Sequence, residues 1–149
     1  MLAQQNVSDC KEHKSVPKPG EIRMGYVPAS ESNTTHKYTG LRPYLIISNE
    51  TYNKYSGQCE AIPFTTRKIR MHKKKSPSHV DYNVGEVVGL EKPSTLIIEA
   101  RDTLKNVCFG EPIGHFSSTN WKKARDAFFV QNPFLKDMAI SEPAITATA

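Results

Sequence analysis

The sequence has few cysteines and no long apolar run, and both absences narrow the class of protein. Its 149 residues include three cysteines, Cys10, Cys59 and Cys108, which lie far apart and form no CxxC pair. This spacing indicates neither a disulfide framework nor a zinc site. No segment approaches the ~20 apolar residues of a membrane span, and the opening residues lack the apolar core of a signal peptide. We therefore expect a soluble protein of the reducing cytosol with no membrane partner.

The best-marked catalytic motifs are absent as well. The sequence contains no G-x-S-x-G elbow, no glycine-rich phosphate loop and no HExxH segment, which excludes the commonest hydrolase and nucleotide-binding classes. His36 and His79 have no partner at metal-ligand spacing. We therefore expect neither a metal nor a cofactor.

The charge balance favours a polyanionic partner. The chain carries 20 Lys and Arg against 15 Asp and Glu, a net charge of +5. Much of the excess lies in one basic segment that includes Arg67, Lys68, Arg70, Lys73, Lys74 and Lys75. Such runs are usually solvated surface, but they also bind nucleic-acid backbones through salt-sensitive contacts.

Short runs of β-branched and aromatic residues, separated by Gly, Pro and Asn, predict a small mainly-β domain over residues 17–136. Residues 1–16 and 137–149 have the composition of tails. We expect strands at 20–27, 43–49, 59–66, 78–83, 94–102 and 110–117. Pro63 cannot donate to a strand ladder, so the third run is predicted to be an edge strand or to carry a bulge.

The last segment changes to a helical period. Trp121, Ala124 and Phe128 recur at helical spacing, Ser117 or Ser118 suits the N-cap, and Asn132 with Pro133 ends the pattern. This predicts a C-terminal helix whose aromatic side packs on the sheet.

Three polar residues lie at predicted strand ends. Arg42 precedes an apolar strand, Thr65 ends the next one, and Arg101 ends "STLIIEAR" on the face of Glu99. Two arginines and a hydroxyl at one edge would form a phosphate-sized anion pocket. The simpler alternative is a surface arginine and an ordinary β-forming threonine.

The order and spacing of these motifs resemble one known family. The chain has "GLRPYLIISNETYNKYSG", then "AIPFTTRKI", "PSHVDY", "GLEKPSTLIIEARD" and "EPIGHFSSTNW". Over residues 17–131 it looks like the PemK/MazF toxins of bacterial toxin-antitoxin systems. The resemblance implies a small SH3-like barrel of the CcdB/MazF/PemK type with a C-terminal helix, which forms a homodimer. It also implies a cognate antitoxin, together with which the toxin binds DNA.

The resemblance further implies a growth-inhibiting, metal-independent endoribonuclease that cuts single-stranded RNA at short sequences. The substrate's 2′-hydroxyl attacks the adjacent phosphorus, which leaves a 2′,3′-cyclic phosphate and a 5′-hydroxyl. Arg42 then corresponds to the arginine that contacts the scissile phosphate, and Thr65 to the threonine that holds a phosphate oxygen. Arg101 corresponds to a second catalytic arginine, and His36 to a loop histidine able to serve as base.

The same resemblance predicts the residues that bind RNA outside the catalytic set. They are Glu21, Tyr38, Thr66, Arg67, Lys68, Arg70, Lys73, Lys74, Lys75, His79 and Glu99. Four positions depart from the family pattern. Lys37 and Tyr38 replace a Glu-Gln pair, Glu99 replaces a glutamine, and Asp102 replaces a threonine.

These departures leave a second function open. A toxin fold with weakened catalysis could act as an RNA-binding module or an antitoxin-binding regulatory subunit. A third and more distant possibility is a gyrase poison of the CcdB kind, which shares the fold but binds a protein.

Overall fold

In the described part of the chain, seven antiparallel strands form one sheet and a helix covers one of its faces. The computed structural model describes residues 15–28, 38–66 and 78–135. The strand order is β4-β5-β3-β2-β1-β7, and β6 also pairs with β3. The elements are β1 (Glu21–Val27), β2 (Gly40–Ile46), α1 (Glu50–Ser56), β3 (Gln58–Thr65), β4 (His79–Tyr82), β5 (Ser94–Ile97), β6 (Asp102–Lys105), β7 (Phe109–His115) and α2 (Ser118–Gln131).

The C-terminal helix follows the sequence pattern. The Ser117 side chain accepts from the Asn120 backbone N–H, and the Asn120 side chain accepts from the Ser117 backbone N–H, which forms a capping box. Trp121 and Phe128 pack against the main core beside Ala124 and Ala127. The predicted mainly-β class with a C-terminal helix is therefore confirmed.

Alternation along the strands separates two faces of the sheet. One face contributes side chains to the main core under α2, including Ile22, Leu45, Ile62, Phe64 and Leu96. The other face carries a smaller cluster in which Tyr44, Ile46, Cys59, Ala61 and Phe109 are buried. The site described below lies on this second face, at the end where β2 begins and β3 finishes.

Of the two alternatives predicted from Pro63, an edge strand or a bulge, the edge strand is wrong. β3 is a central strand, which pairs with β2 on one side and with β6 and then β5 on the other. The β6 partners are Gln58–Ala61 and the β5 partners are Phe64 and Thr65, so Pro63 falls where the ladder changes partner. A missing N–H at this position costs little because neither ladder uses it.

The prediction of one strand over 94–102 is also wrong. The chain makes a single 3₁₀ turn at Ile98–Ala100, between β5 and β6. Because both strands pair with β3 on the same side, the turn lets the chain pass from one half of β3 to the other. Sequence analysis also missed the short helix α1, which Asn49 caps and which Gly57 ends in the left-handed conformation at φ 75°.

Within the residues that the structure describes, no helix has the length and apolar character needed to cross a membrane. Among the residues described, the Cys59 thiol is buried and the Cys108 thiol is partly exposed.

Gly25 provides a test of packing beneath the site. A Cβ at this position would lie 2.8 Å from atoms of the Phe109 and Tyr44 rings. We predict that Gly25→Ala lowers the free energy of unfolding by about 1–3 kcal/mol, because overpacking forces those rings to move. Urea denaturation measures the change. Gly110→Ala is the matched control, since its Cβ would meet only the Met24 carbonyl oxygen at 3.9 Å, and an equal loss in both variants would contradict the prediction.

Candidate RNA-binding and cleavage site

A pocket of about 290 Å³ opens where β2 begins and β3 ends. Its volume is near the lower limit of ligand pockets, about 300 Å³. We call it the Arg42 pocket, and its lining residues are Leu41, Arg42, Pro43, Phe64, Thr65, Thr66 and Ser94.

Backbone oxygens and an aromatic ring hold the Arg42 guanidinium in the pocket. Nη1 donates to the Phe64 carbonyl oxygen at 3.4 Å and Nη2 to the Thr39 carbonyl oxygen at 3.1 Å. The guanidinium carbon lies 4.9 Å from the centre of the Tyr38 ring. Nε is buried and has no hydrogen-bond partner in the described part of the chain. A buried donor of this kind is costly, and an oxyanion in the pocket would relieve the cost.

Strand register sets the Arg42 side chain beside the Thr65 hydroxyl. β2 pairs with β3 at Tyr44 and Pro63, so continuing this register by two residues puts Arg42 opposite Thr65. Directly opposite residues point to the same face of a sheet. Thr65 is 4% exposed. Arg42 and Thr65 thus combine a permanent charge with a hydroxyl donor on one wall.

The same register extends into a polar row across four strands. Thr65 pairs with Thr95 on β5, and Thr95 pairs with Asp81 on β4. The Thr95 Oγ1 hydroxyl donates to Asp81 Oδ1 at 2.7 Å. We call Arg42, Thr65, Thr95 and Asp81 the polar row.

His79 and Glu99 meet beside one end of this row. His79 lies two residues before Asp81 on β4 and therefore on the same face. Its Nε2 is 2.5 Å from Glu99 Oε1, and the Ser78 hydroxyl donates to Glu99 Oε2. His79 Nδ1 is buried without a hydrogen-bond partner among the residues described. The structure thus brings together two residues that the sequence assigned to RNA binding.

Arg101 does not join the Arg42 pocket. The 3₁₀ turn breaks the strand on which Arg101 and Glu99 were predicted to share a face, so the two side chains diverge. Arg101 Nε lies 3.8 Å from Glu60 Oε1, and its guanidinium carbon lies 5.4 Å from the centre of the Phe128 ring on α2. The Arg101 guanidinium therefore lies on the helix side of the sheet, opposite the polar row.

Glu21 lies away from the pocket, where its carboxylate pairs with a buried arginine. Glu21 is four residues along β1 from Gly25, the cross-strand partner of Arg42, or about 13 Å. Its Oε1 accepts from Arg23 Nη2 at 2.8 Å, and Arg23 is only 1% exposed. A buried charge must be paired, so the Glu21 carboxylate is held by Arg23.

The remaining predicted residues divide between the pocket and the undescribed parts of the chain. Tyr38 stacks on Arg42, and Thr66 lines the pocket. His36 and the basic segment, Arg67, Lys68, Arg70, Lys73, Lys74 and Lys75, lie outside the described residues.

Sequence analysis missed Thr95 and Asp81. The polar-apolar alternation of "HVDY" does put His79 and Asp81 on one face. Nothing local to the sequence, however, says that this face continues the one that carries Thr65, because that depends on pairing between distant strands.

Charge and geometry define the class of site. Fixed donors at Arg42 and Thr65 suit a phosphate oxygen, while the carboxylate of Asp81 and the His79–Glu99 pair lie within a few strands of it. No group of three or more potential metal ligands occurs within the described ranges. The arrangement fits a protein that binds a nucleic-acid backbone on one face of a small β-sheet.

Comparison with known proteins identifies the family. Residues 18–130 match the family described as PemK-like, MazF-like toxin of type II toxin-antitoxin system. The endoribonuclease MazF of Staphylococcus saprophyticus is 32% identical over 88 residues, which cover 59% of this chain and 70% of that protein. The chain therefore belongs to the PemK-like, MazF-like toxins.

Solved structures share the fold at low sequence identity. MazF from Deinococcus radiodurans superposes with a TM-score of 0.62 at 19% identity and covers 80% of this chain and 99% of its own. A mycobacterial endoribonuclease in complex with its cognate antitoxin gives a TM-score of 0.57 at 18% identity, with 76% and 92% covered. The predicted mainly-β fold of the MazF type is confirmed by these neighbours.

Tyr44 offers a test of the environment beneath Arg42. Burial raises the pKa of the Tyr44 hydroxyl to about 12, although the Arg42 charge opposes the shift. In alkali the unfolded chain loses this proton first, so stability should fall as the pH rises from about 10 to 12. We predict that, over this pH range, the free energy of unfolding of Tyr44→Phe falls by about 2–3 kcal/mol less than that of the wild type. Chemical denaturation at several pH values measures it.

Tyr26→Phe, which alters an exposed ring, should follow the wild type throughout that range. The raised pKa values of Tyr82 and Cys59 are common to all three proteins and cancel in the comparison. Identical pH profiles for Tyr44→Phe and wild type would contradict the account of Tyr44.

Proposed function

We propose that this protein is an endoribonuclease toxin that cuts single-stranded RNA, with the scissile phosphate in the Arg42 pocket. The observation that supports it most is the convergence of the Arg42 guanidinium, whose buried Nε has no partner in the described chain, with the Thr65 hydroxyl. Family membership and the curated endoribonuclease relative support the same activity.

The reaction follows from what these groups can do. The 2′-hydroxyl of the preceding nucleotide attacks phosphorus, the bond to the 5′-oxygen breaks, and a 2′,3′-cyclic phosphate and a 5′-hydroxyl remain. Negative charge accumulates on the non-bridging oxygens in the transition state, where Arg42 and Thr65 can donate to them. Donors fixed in place before reaction lower such a barrier most.

RNA on either side of the cut would follow the same face of the sheet. Thr66 lines the pocket, Tyr38 stacks on the Arg42 guanidinium, and His79 with Glu99 lies beside the far end of the polar row. We propose that the segment with Arg67, Lys68, Arg70, Lys73, Lys74 and Lys75 adds salt-sensitive contacts to the backbone. His36 stays a prediction from the resemblance.

The proposed partners follow the family. The mycobacterial structure contains an endoribonuclease with its cognate antitoxin, and we propose that a cognate antitoxin with an acidic segment neutralises this toxin. We further propose that the protein is a homodimer in the cytoplasm, where the reducing environment would keep Cys59 and Cys108 as thiols.

The Arg42 side chain gives the first test of the function. We predict that Arg42→Ala lowers the cleavage rate of a long unstructured RNA by about 100-fold or more, because a preorganised charge is lost. Arg42→Lys should fall between the two, since it keeps the charge but loses the two-pronged donor. Gel analysis of single-turnover reactions with chelator present measures the rates.

Arg125→Ala is the matched control, because this arginine on α2 is 57% exposed and lies outside the pocket. Folded wild-type protein that leaves the RNA intact would contradict the enzymatic proposal. Bound but uncleaved RNA would instead favour the weakened binding module. The position of Arg101 outside the pocket supports that alternative.

A further inference from the structure

The far end of the polar row carries a carboxylate, and its position suggests a chemical role. Resting on the proposed function, we infer that Asp81 is the general base that removes the proton from the attacking 2′-hydroxyl. Thr95 is then a positioning residue that holds the Asp81 carboxylate. Neither residue belongs to the set that the sequence motifs predict.

Contacts with residues of the described chain fix Asp81. Thr95 is 4% exposed, and its hydroxyl donates to Asp81 Oδ1 at 2.7 Å. The Lys123 ammonium on α2 donates to the Asp81 backbone oxygen at 2.5 Å. β4 pairs with β5 along its whole length, from His79 to Tyr82. A carboxylate held at its side chain, its backbone and its strand is preorganised for proton transfer.

The spacing along the row matches the reaction. Thr65 and Asp81 are separated by two strand spacings, or about 10 Å. A phosphate oxygen at hydrogen-bond distance from Thr65, an attacking oxygen about 3–3.5 Å from phosphorus and a base about 3 Å further together span a similar distance. A phosphate at Arg42 and Thr65 therefore puts the 2′-hydroxyl between Thr65 and Asp81.

Other carboxylates near this face are less suited. Glu99 has one oxygen against His79 and the other against the Ser78 hydroxyl, and Glu21 is paired with Arg23. Neither is a member of the polar row, and Glu21 lies about 13 Å along β1 from Gly25, the partner of Arg42. Asp81 is the carboxylate in the row itself, two strands from Thr65.

Charged groups near Asp81 come from several elements. The Lys123 ammonium on α2 donates to the Asp81 backbone oxygen and lies 3.5 Å from Glu86. His79 is two residues away on β4 and contacts Glu99 of the 3₁₀ turn. Arg42 lies at the opposite end of the row on β2.

The step balances without a further reactant apart from water. The 2′-O–H bond breaks and its proton passes to an Asp81 carboxylate oxygen. The 2′-oxygen forms its bond to phosphorus, the bond from phosphorus to the 5′-oxygen breaks, and the leaving oxygen takes a proton from water. The hydroxide left by that water takes the proton from Asp81, which returns to its ionised state.

The test compares pH-rate profiles of Asp81→Asn and wild type on the same RNA. We expect Asp81→Asn to lose at least about 100-fold in single-turnover rate at neutral pH. The wild-type rate should fall in acid as the carboxylate takes a proton, and this limb should be absent in Asp81→Asn. Asp81→Glu should restore part of the rate together with the fall of the rate in acid. Thr95→Val should lower the rate but keep that fall.

Two controls separate chemistry from folding and binding. Asp102→Asn changes another partly exposed carboxylate, on β6 opposite Ala61, and should behave as wild type. Asp81→Asn should bind an uncleavable 2′-O-methyl RNA at least as tightly as wild type, because it removes a negative charge. Unchanged circular dichroism and melting temperature complete the comparison.

The outcomes separate this inference from the proposed function. Wild-type cleavage with an unaltered rate and acid limb in Asp81→Asn would overturn the inference and leave the endoribonuclease standing. Loss of that limb in His36→Ala, with its retention in Asp81→Asn, would also overturn it and assign the base to His36. Absence of wild-type cleavage would overturn the proposed function itself.

Discussion

The exchange of partners along β3 is the constraint on which the rest of the structure depends. The first half of β3 pairs with β6 and its end pairs with β5, and the exchange falls at Pro63. A residue without an N–H fits there because no ladder bond is lost. The exchange puts β5 and then β4 beside Thr65, and so extends the polar row beyond β2 and β3.

The two faces of the sheet then have different roles, packing on one and polar groups on the other. The face under α2 buries an aromatic cluster in which Phe64, Tyr82, Phe116 and Trp121 make edge or tilted ring contacts, and this packing stabilises the sheet. The opposite face can therefore carry costly polar groups such as the buried Nε of Arg42. Gly25 also contributes to this second face, since its missing side chain leaves room for the Tyr44 and Phe109 rings beside Arg42.

Much of the fold could be predicted from the sequence, because alternation and capping are local. The C-terminal helix, the mainly-β class and most strands follow from periods of 2 and 3.6 residues together with Gly, Pro and Asn signals. The helix α1 could have been found as well, since Asn49 and Gly57 bracket it with cap residues. The single strand over 94–102 failed because the turn at Ile98–Ala100 is imposed by pairing with two halves of β3, which no local pattern encodes.

In the candidate site, too, some residues could be predicted from local sequence and others depend on the pairing of distant strands. Arg42 and Thr65 stand next to apolar strands, so their meeting at a strand end was accessible to sequence reasoning. Thr95 and Asp81 join them only through the pairing of β5 and β4, and Arg101 leaves them because a turn redirects it toward Glu60 and Phe128. The pairing of Glu21 with Arg23 could not be foreseen either, because the burial of Arg23 cannot be seen in the sequence.

The most direct test of the central claim is a crystal structure of the protein with an uncleavable 2′-O-methyl RNA. The account predicts one backbone phosphate in the Arg42 pocket, with a non-bridging oxygen within hydrogen-bond distance of the Arg42 guanidinium and the Thr65 hydroxyl. The methylated 2′-oxygen should lie on the side of Thr95 and Asp81. RNA bound instead along the helix side of the sheet, beside Arg101 and Phe128, would contradict the account.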